Sequence, residues 1–178
     1  MPTMTFFIRR ASIKDSALLS EIGTYMFNDT FGPENTPEDM ESYLNSAFAP
    51  EQIASALADP TTIFLLAYED NEPIGYATLK VSAAPKCVQG PKPMELARLY
   101  VNQRVIGKGY GAALLKACQE EALDAGYETI WLGVWERNER AIRFYEKWGF
   151  REAGTHAFIL GNDVQNDLIM EYSVKGTV

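Results

Sequence analysis

Apolar and polar positions along this chain recur with two different periods, and the switches between them predict its elements. Thr5 to Ala11, "TFFIRRA", reads as a first strand. Ser12, with Asp15 three residues on, resembles a capping arrangement that opens a helix through Leu18, Leu19, Ile22 and Met26. Thr36 is the expected N-cap of a second helix, with Pro37 in its first position and Glu38 and Asp39 at the positive end of its dipole. A third short helix spans Glu51 to Ala58. Thr62 to Tyr68 and Ile74 to Val81 form the clearest hairpin, joined around Asp70, Asn71 and Glu72. After a Pro- and Gly-rich loop, "AAPKCVQGPKP", come a strand over Met94 to Val101, a glycine loop and a long helix, and a strand in "ETIWLGVW". The helix in "NERAIRFYEKWGF" shows an apolar stripe at Ala141, Phe144, Tyr145 and Trp148, and strands over Arg151 to Leu160 and Asp167 to Val174 finish the chain. No repeat or low-complexity tract interrupts this order.

The length of 178 residues suits one domain with a real core, and nearly half of the residues are apolar. The N-terminus lacks a cationic start followed by a sustained apolar segment, and no apolar run approaches the ~20 residues of a membrane helix. A soluble, cytoplasmic protein with no membrane partner is the expectation. Cys87 and Cys118 are too few for a disulfide framework, and the lone His156 builds no metal site, so no metal is expected. The net charge of −8 argues against a nucleic-acid partner. Its distribution is uneven: Asp15 to Glu72 holds twelve acids and no Lys or Arg, whereas Pro73 onward holds twelve acids and thirteen bases. Such a division suits a reaction between a cationic and an anionic substrate, and equally a solvated acidic face.

The richest segment is "IGKGYGAALLKACQEEALDAG", Ile106 to Gly126. Ala112, Leu115, Cys118, Gln119 and Ala122 give its helix a buried face, and Gly126 a C-terminal stop. Gly107, Gly109 and Gly111 leave backbone N–H groups and the helix dipole free to cradle a phosphate or pyrophosphate. A P-loop is disfavoured because Asn102 stands at its first glycine position and Gly109 follows Lys108 where a hydroxyl is needed. A Rossmann fingerprint fits poorly, since the spacing is G-x-G-x-G and the loop follows a late strand.

Met94 to Phe150 resembles the core of the GCN5-related N-acetyltransferase (GNAT) superfamily, with two motifs in the right order and spacing. The family's loop, Arg or Gln followed by x-x-G-x-G/A, falls on Ile106 to Gly111, with Ile106 replacing the usual Arg or Gln. The resemblance implies an α/β fold: a mostly antiparallel, twisted sheet of about seven strands flanked by helices on both faces, with a splayed central strand pair that binds acetyl-CoA. It implies acetyl transfer from acetyl-CoA to an amine, with acceptor-side helices over about 14–58 and the donor core over about 94–150. Leu99, Tyr100 and Val101 are then nearest the cofactor, and the amides of Gly107 to Gly111, with Tyr110 and Ala112, hold its pyrophosphate. Arg104, Lys108 and Lys147 add positive charge, and Asn138 contacts the cofactor. Tyr145, in N-x-x-A-x-x-x-Y, matches the tyrosine that protonates the leaving thiolate, although from physics alone it also reads as a core aromatic with a wet hydroxyl.

For the general base, alternation puts Glu95, Ala97, Leu99 and Val101 on one strand face, so Glu95 is the first candidate, against a plain strand-end carboxylate paired with solvent or Arg98. His156 is a second candidate by side-chain type. "DTFGPENTPEDMESYL" and "FILGNDVQNDLIMEYSV" resemble the PaiA-type polyamine acetyltransferases. Phe31, Tyr25, Asp29, Glu34, Asp39 and Glu41 combine aromatic surface with negative charge, which suits spermidine or spermine as the small-molecule amine. Protein N-termini or lysines are the alternative acceptors, and a non-catalytic acetyl-CoA-binding regulatory module is the alternative class. A homodimer is left open.

Overall fold

The computed structural model describes residues 3–175, apart from the side chain of residue 158. Seven strands form one sheet in the order β1-β2-β3-β4-β5-β7-β6. They are β1 (Phe6–Arg10), β2 (Thr62–Glu69), β3 (Glu72–Lys80), β4 (Pro93–Val101), β5 (Thr129–Trp135), β6 (Arg151–Leu160) and β7 (Asp163–Ser173). Every neighbouring pair is antiparallel except β4 and β5. The helices are α1 (Ser16–Phe31), α2 (Pro37–Ala47), α3 (Pro50–Ala58), α4 (Tyr110–Asp124) and α5 (Glu139–Lys147).

The two-residue periodicity of β2 explains how the helices divide. Leu65 and Ala67 join one core with Leu114, Leu115, Cys118 and Ala122 of α4 and Tyr145 of α5. Phe64, Leu66 and Tyr68 point the other way, into a second core with Leu19, Met26 and Phe27 of α1, Met40 of α2 and Ile53 of α3. Each fully buried Leu contributes about 1.5–3 kcal/mol relative to exposure, so both faces need their helical cover. Thr36 caps α2 as expected, accepting from the Asp39 N–H at 3.2 Å. Ser12 and Asp15 do meet, the Asp15 carboxylate accepting from the Ser12 N–H at 2.8 Å, but they close a short 3-10 turn ahead of α1.

Two details differ from the pattern-based reading. Asp70 and Asn71 both have positive φ, at 50° and 67°, so they alone make a tight turn and β3 starts earlier, at Glu72. The last strand likewise starts at Asp163 and not Asp167, because Gly161 and Asn162 suffice for the turn and the polar run after them is paired strand.

The sheet parts in the middle. β4 and β5 pair only over Pro93↔Thr129, Met94↔Ile130 and Glu95↔Trp131. From Leu96 to Val101 the β5-facing edge of β4 has no strand partner among the described residues. Ala97 is also a bulge, since Leu79 faces Leu96 while Thr78 faces Arg98. That extra residue corrects the expected face of Glu95. Leu96, Leu99 and Val101 pack with the α4 core, while Tyr100 packs with the α1 core and Arg98 stacks on Phe48, so Glu95 shares no face with Leu99 and Val101.

Candidate active site

The glycine turn comes directly after β4. Asn102 tightens it by accepting from the Arg104 N–H at 3.1 Å, and Gly107 and Gly109 then take left-handed φ values of +94° and +86°. A Cβ at either would meet nothing within 4 Å, so conformation, not crowding, calls for glycine there. Gly111 differs: it is helical, and a Cβ there would lie 3.6 Å from the Phe144 ring. The N–H groups of Tyr110, Gly111 and Ala112, at the start of α4, have no intrahelical acceptor, and the positive end of the dipole lies against the open turn. This is an anion-binding arrangement.

A cavity of about 380 Å³ opens between this turn, the unpaired end of β4 and α5. Of the residues expected there, Leu99, Tyr100 and Val101 line it from β4. Gly107, Gly109, Tyr110, Gly111 and Ala112 line it from the turn, and Asn138, Tyr145 and Lys147 from the α5 side. Arg104 and Lys108 stand outside the lining. Arg104 donates to Glu72 at 2.7 Å and Lys108 to Glu69 at 3.3 Å, because the acidic end of the β2–β3 hairpin lies beside the turn. Arg140 also lines the cavity and was not singled out from the sequence, and Trp148, read there only as part of an apolar stripe, lines it too. The signal for Arg140 was its place in the first turn of α5, whose N-terminal end borders the gap in the sheet.

A smaller cavity of about 150 Å³ lies on the side of α1 and α2, and it shares Leu99, Tyr100, Asn138, Ala141 and Tyr145 with the first. The two spaces therefore meet where β4 leaves β5. Phe31, Tyr43 and Trp135 wall the smaller one, with Phe31 and Trp135 edge to face at 5.6 Å. Its polar groups include Asp167, Gln165 and Arg98, whose guanidinium lies 4.2 Å from the Phe48 ring centre and donates to the Ala47 carbonyl at 3.4 Å. Tyr145 is packed between Phe144 and Phe150, and burial pushes its hydroxyl pKa up. A phenol held that way stays protonated and acts as a donor.

Glu95 lines neither cavity. It lies where β4 and β5 still pair, with Lys80 at 3.9 Å and Ser82 at 3.5 Å; burial raises its carboxyl pKa while Lys80 opposes the rise. Of the proposed acceptor residues, Phe31 lines the smaller cavity. Tyr25, Asp29 and Glu41 line a separate open groove between α1 and α2. Asp39 accepts from the Asn162 N–H at 2.9 Å and so holds the β6–β7 turn. His156 is exposed on β6, directly across from Asp167.

This geometry can be set beside known proteins. The model of the acetyltransferase (GNAT) family matches residues 24–150. The chain belongs to the GNAT acetyltransferase family. An uncharacterized N-acetyltransferase of Lactobacillus delbrueckii subsp. lactis is 32% identical over 164 residues, covering 92% of this chain and 95% of that protein. The crystal structure of the PaiA N-acetyltransferase of Thermoplasma acidophilum in complex with coenzyme A superposes with a TM-score of 0.77 at 25% identity, covering 96% of this chain and 99% of the other. A shorter stretch of 60 residues, 33% of this chain and 40% of the other, is 35% identical to the spermine/spermidine N(1)-acetyltransferase of Bacillus subtilis strain 168. This GNAT protein is therefore an acyltransferase, an acetyl-CoA-dependent N-acetyltransferase, and the open glycine turn, helix start and unpaired strand edge fit that donor. Among the described residues no group of three or more His, Cys, Asp or Glu is placed to hold a metal, and no helix is long and apolar enough to cross a membrane.

Proposed function

We propose that this GNAT enzyme acetylates a primary amine of a polyamine of the spermidine and spermine class, by direct attack on acetyl-CoA. The observation that carries the reading is the meeting of two cavities beside Tyr145, one bordered by the anion-binding turn and the other walled by aromatic rings with a carboxylate. The amides of Gly107 to Ala112 hold the pyrophosphate, and Arg140 and Lys147 add positive charge at the rim. The unpaired edge of β4 offers the amides of Leu99 and Val101 to the pantetheine arm and the thioester carbonyl, that of Tyr100 being turned to β3. The acceptor nitrogen attacks that carbonyl, a C–N bond forms, the C–S bond breaks, and the Tyr145 hydroxyl donates a proton to the leaving sulfur.

Acceptor choice follows from the smaller cavity. Phe31, Tyr43 and Trp135 present ring faces and edges to an ammonium-bearing chain, and Asp167 supplies countercharge. The base-free stretch from Asp15 to Glu72 makes the approach attractive to a polycation. The likeness to the Bacillus spermine/spermidine acetyltransferase supports a polyamine acceptor.

The test is release of free CoA thiol from acetyl-CoA, followed with a thiol-reactive dye, with spermidine, spermine, monoamines and an N-terminal peptide offered in turn. The expected outcome is turnover with polyamines at least tenfold above the others in kcat/KM. Faster turnover of the peptide would replace the acceptor class, and binding of acetyl-CoA with no turnover of any amine would make the protein a binding module.

A further inference from the structure

We propose that Asp167 is the general base that takes the proton from the acceptor amine, and that His156, its partner across the β6–β7 ladder, passes that proton to solvent. This rests on the acetyltransferase reading of the site. Asp167 lies on β7 in register with Trp135 on one side and His156 on the other, and its side chain lines the smaller cavity beside Tyr145 and Asn138. Room for it is built into β5. A Cβ on Gly133 would lie 3.0 Å from Asp167 Oδ2 and 3.6 Å from its Cβ, so a larger residue there would press on the carboxylate.

Asp15, Glu69, Glu95 and Glu171 are committed to structural partners. Asp15 accepts from Arg9 and from the Ser12 N–H. Glu69 accepts from Lys108 and Tyr110, and Glu95 from Ser82 beside Lys80. Glu171 accepts from the N–H groups of Gln89 and Gly90 and from Arg151. Asp167 has no such hydrogen bond among the described residues, although it is half-buried and borders the space where the two substrates meet. A carboxylate left without a structural partner at that spot is available to a ligand's N–H group.

Its surroundings tune it for this task. Burial pushes the Asp167 carboxyl up to about 6, with His156 on β6 opposing the shift and Glu136 beyond β5 adding to it. Arg98 of β4, Tyr43 of α2 and Tyr145 of α5 face the same cavity. At neutral pH Asp167 is therefore an anion, yet a more basic one than an ordinary Asp, as a general base must be.

The protons balance. The ammonium form of the acceptor gives one proton to Asp167, and the resulting neutral amine attacks the thioester carbonyl. The nitrogen loses a second proton as the amide forms, and this replaces the proton that Tyr145 gives to the departing thiolate. The proton on Asp167 leaves by way of a water to the exposed imidazole of His156, which stands across the ladder with no direct hydrogen bond to the carboxylate, so each turnover releases one proton to solvent.

Asp167→Asn, Asp167→Glu, Glu95→Gln and His156→Gln, assayed for CoA release across pH, test the proposal, with acetyl-CoA affinity measured by calorimetry as the check on folding. The wild-type kcat/KM for the amine is expected to rise with pH through a limb centred near 6, below the amine's own titration. Asp167→Asn is expected to keep its acetyl-CoA affinity, lose that limb and lose roughly 10²–10⁴-fold in kcat. Asp167→Glu keeps part of the rate with a displaced limb, Glu95→Gln keeps the limb, and His156→Gln slows in dilute buffer and recovers with added imidazole. An Asp167→Asn enzyme with its rate within threefold of wild type and the same pH profile would overturn the assignment, as would loss of the limb in Glu95→Gln alone. Silence of the wild-type protein with every amine would instead overturn the acetyl-acceptor reading and this proposal with it.

Discussion

Lys108, between the two left-handed glycines of the turn, gives its ammonium to Glu69 of β2 at 3.3 Å instead of to the donor cavity. Tyr110, the first residue of α4, donates to the same carboxylate at 2.8 Å while its ring stacks on Phe6 at 4.5 Å. Glu69 thus fastens the turn to the neighbouring hairpin, and the anion-binding amides are held in place from behind.

Glu69→Gln should leave kcat nearly unchanged and raise the KM for acetyl-CoA. A half-exposed ion pair is worth ~0.2–1 kcal/mol, so the increase should not exceed about fivefold. Steady-state kinetics at saturating amine decide it. A lower KM would mean that Lys108, once freed, turns to the phosphates.

Tyr145→Phe keeps the ring packing against Phe144 at 5.2 Å and Phe150 at 5.4 Å and removes only the hydroxyl. The expected result is a fall in kcat on the order of 10²-fold or more with unchanged acetyl-CoA affinity. A rate within twofold of wild type would return Tyr145 to the role of a core aromatic.

The glycines of the turn should respond unequally to alanine. Gly109→Ala forces a side chain into left-handed backbone at φ +86°, at a cost of ~1–2 kcal/mol. Gly111→Ala adds a methyl at ordinary contact distance from Phe144 in helical backbone, so thermal stability should hold or rise. Thermal melts of the two variants check this, and equal losses would sink the distinction.

Acid stability should depend on Asp15. The Arg9 guanidinium, bonded to it at 2.8 and 2.9 Å, holds its carboxyl at about 2, below the ordinary 3.8. Because the folded value is depressed, the stabilisation is present above about 3.8 and fades as pH falls toward 2. Asp15→Asn should therefore lower the urea midpoint at neutral pH, with the gap to wild type closing across that acid range. A gap independent of pH would assign the effect to the hydrogen bonds alone.

Much of this was legible in the sequence, for identifiable reasons. The glycine turn, α4 and α5 announce themselves through local signals: positive-φ residues, a 3.6-residue stripe and caps whose partners lie three residues away. Glu95 was harder. Its face depends on the bulge at Ala97, which is set by pairing with β3 and leaves no mark in the alternation of β4 itself. Asp167 was legible as the start of the last strand, but nothing in the polar run "GNDVQND" marks it as a cavity residue; that follows from its pairing with β5 and β6 on both sides. Lys108 and Arg104 were placed in the right segment but not the right direction, since Glu69 and Glu72 reach them from far away in sequence.

With the donor bound as proposed, the short seam between β4 and β5, three paired residues long, makes it a structural member of the protein as well as its reactant. In the proposed pose acetyl-CoA lies along the unpaired edge and joins two halves of a sheet that otherwise share little ladder, so that its binding stabilises the folded state by mass action. Departure of CoA undoes that splice. Letting go of product and loosening of the sheet are then one event, so the enzyme is at its softest when it must admit the next donor.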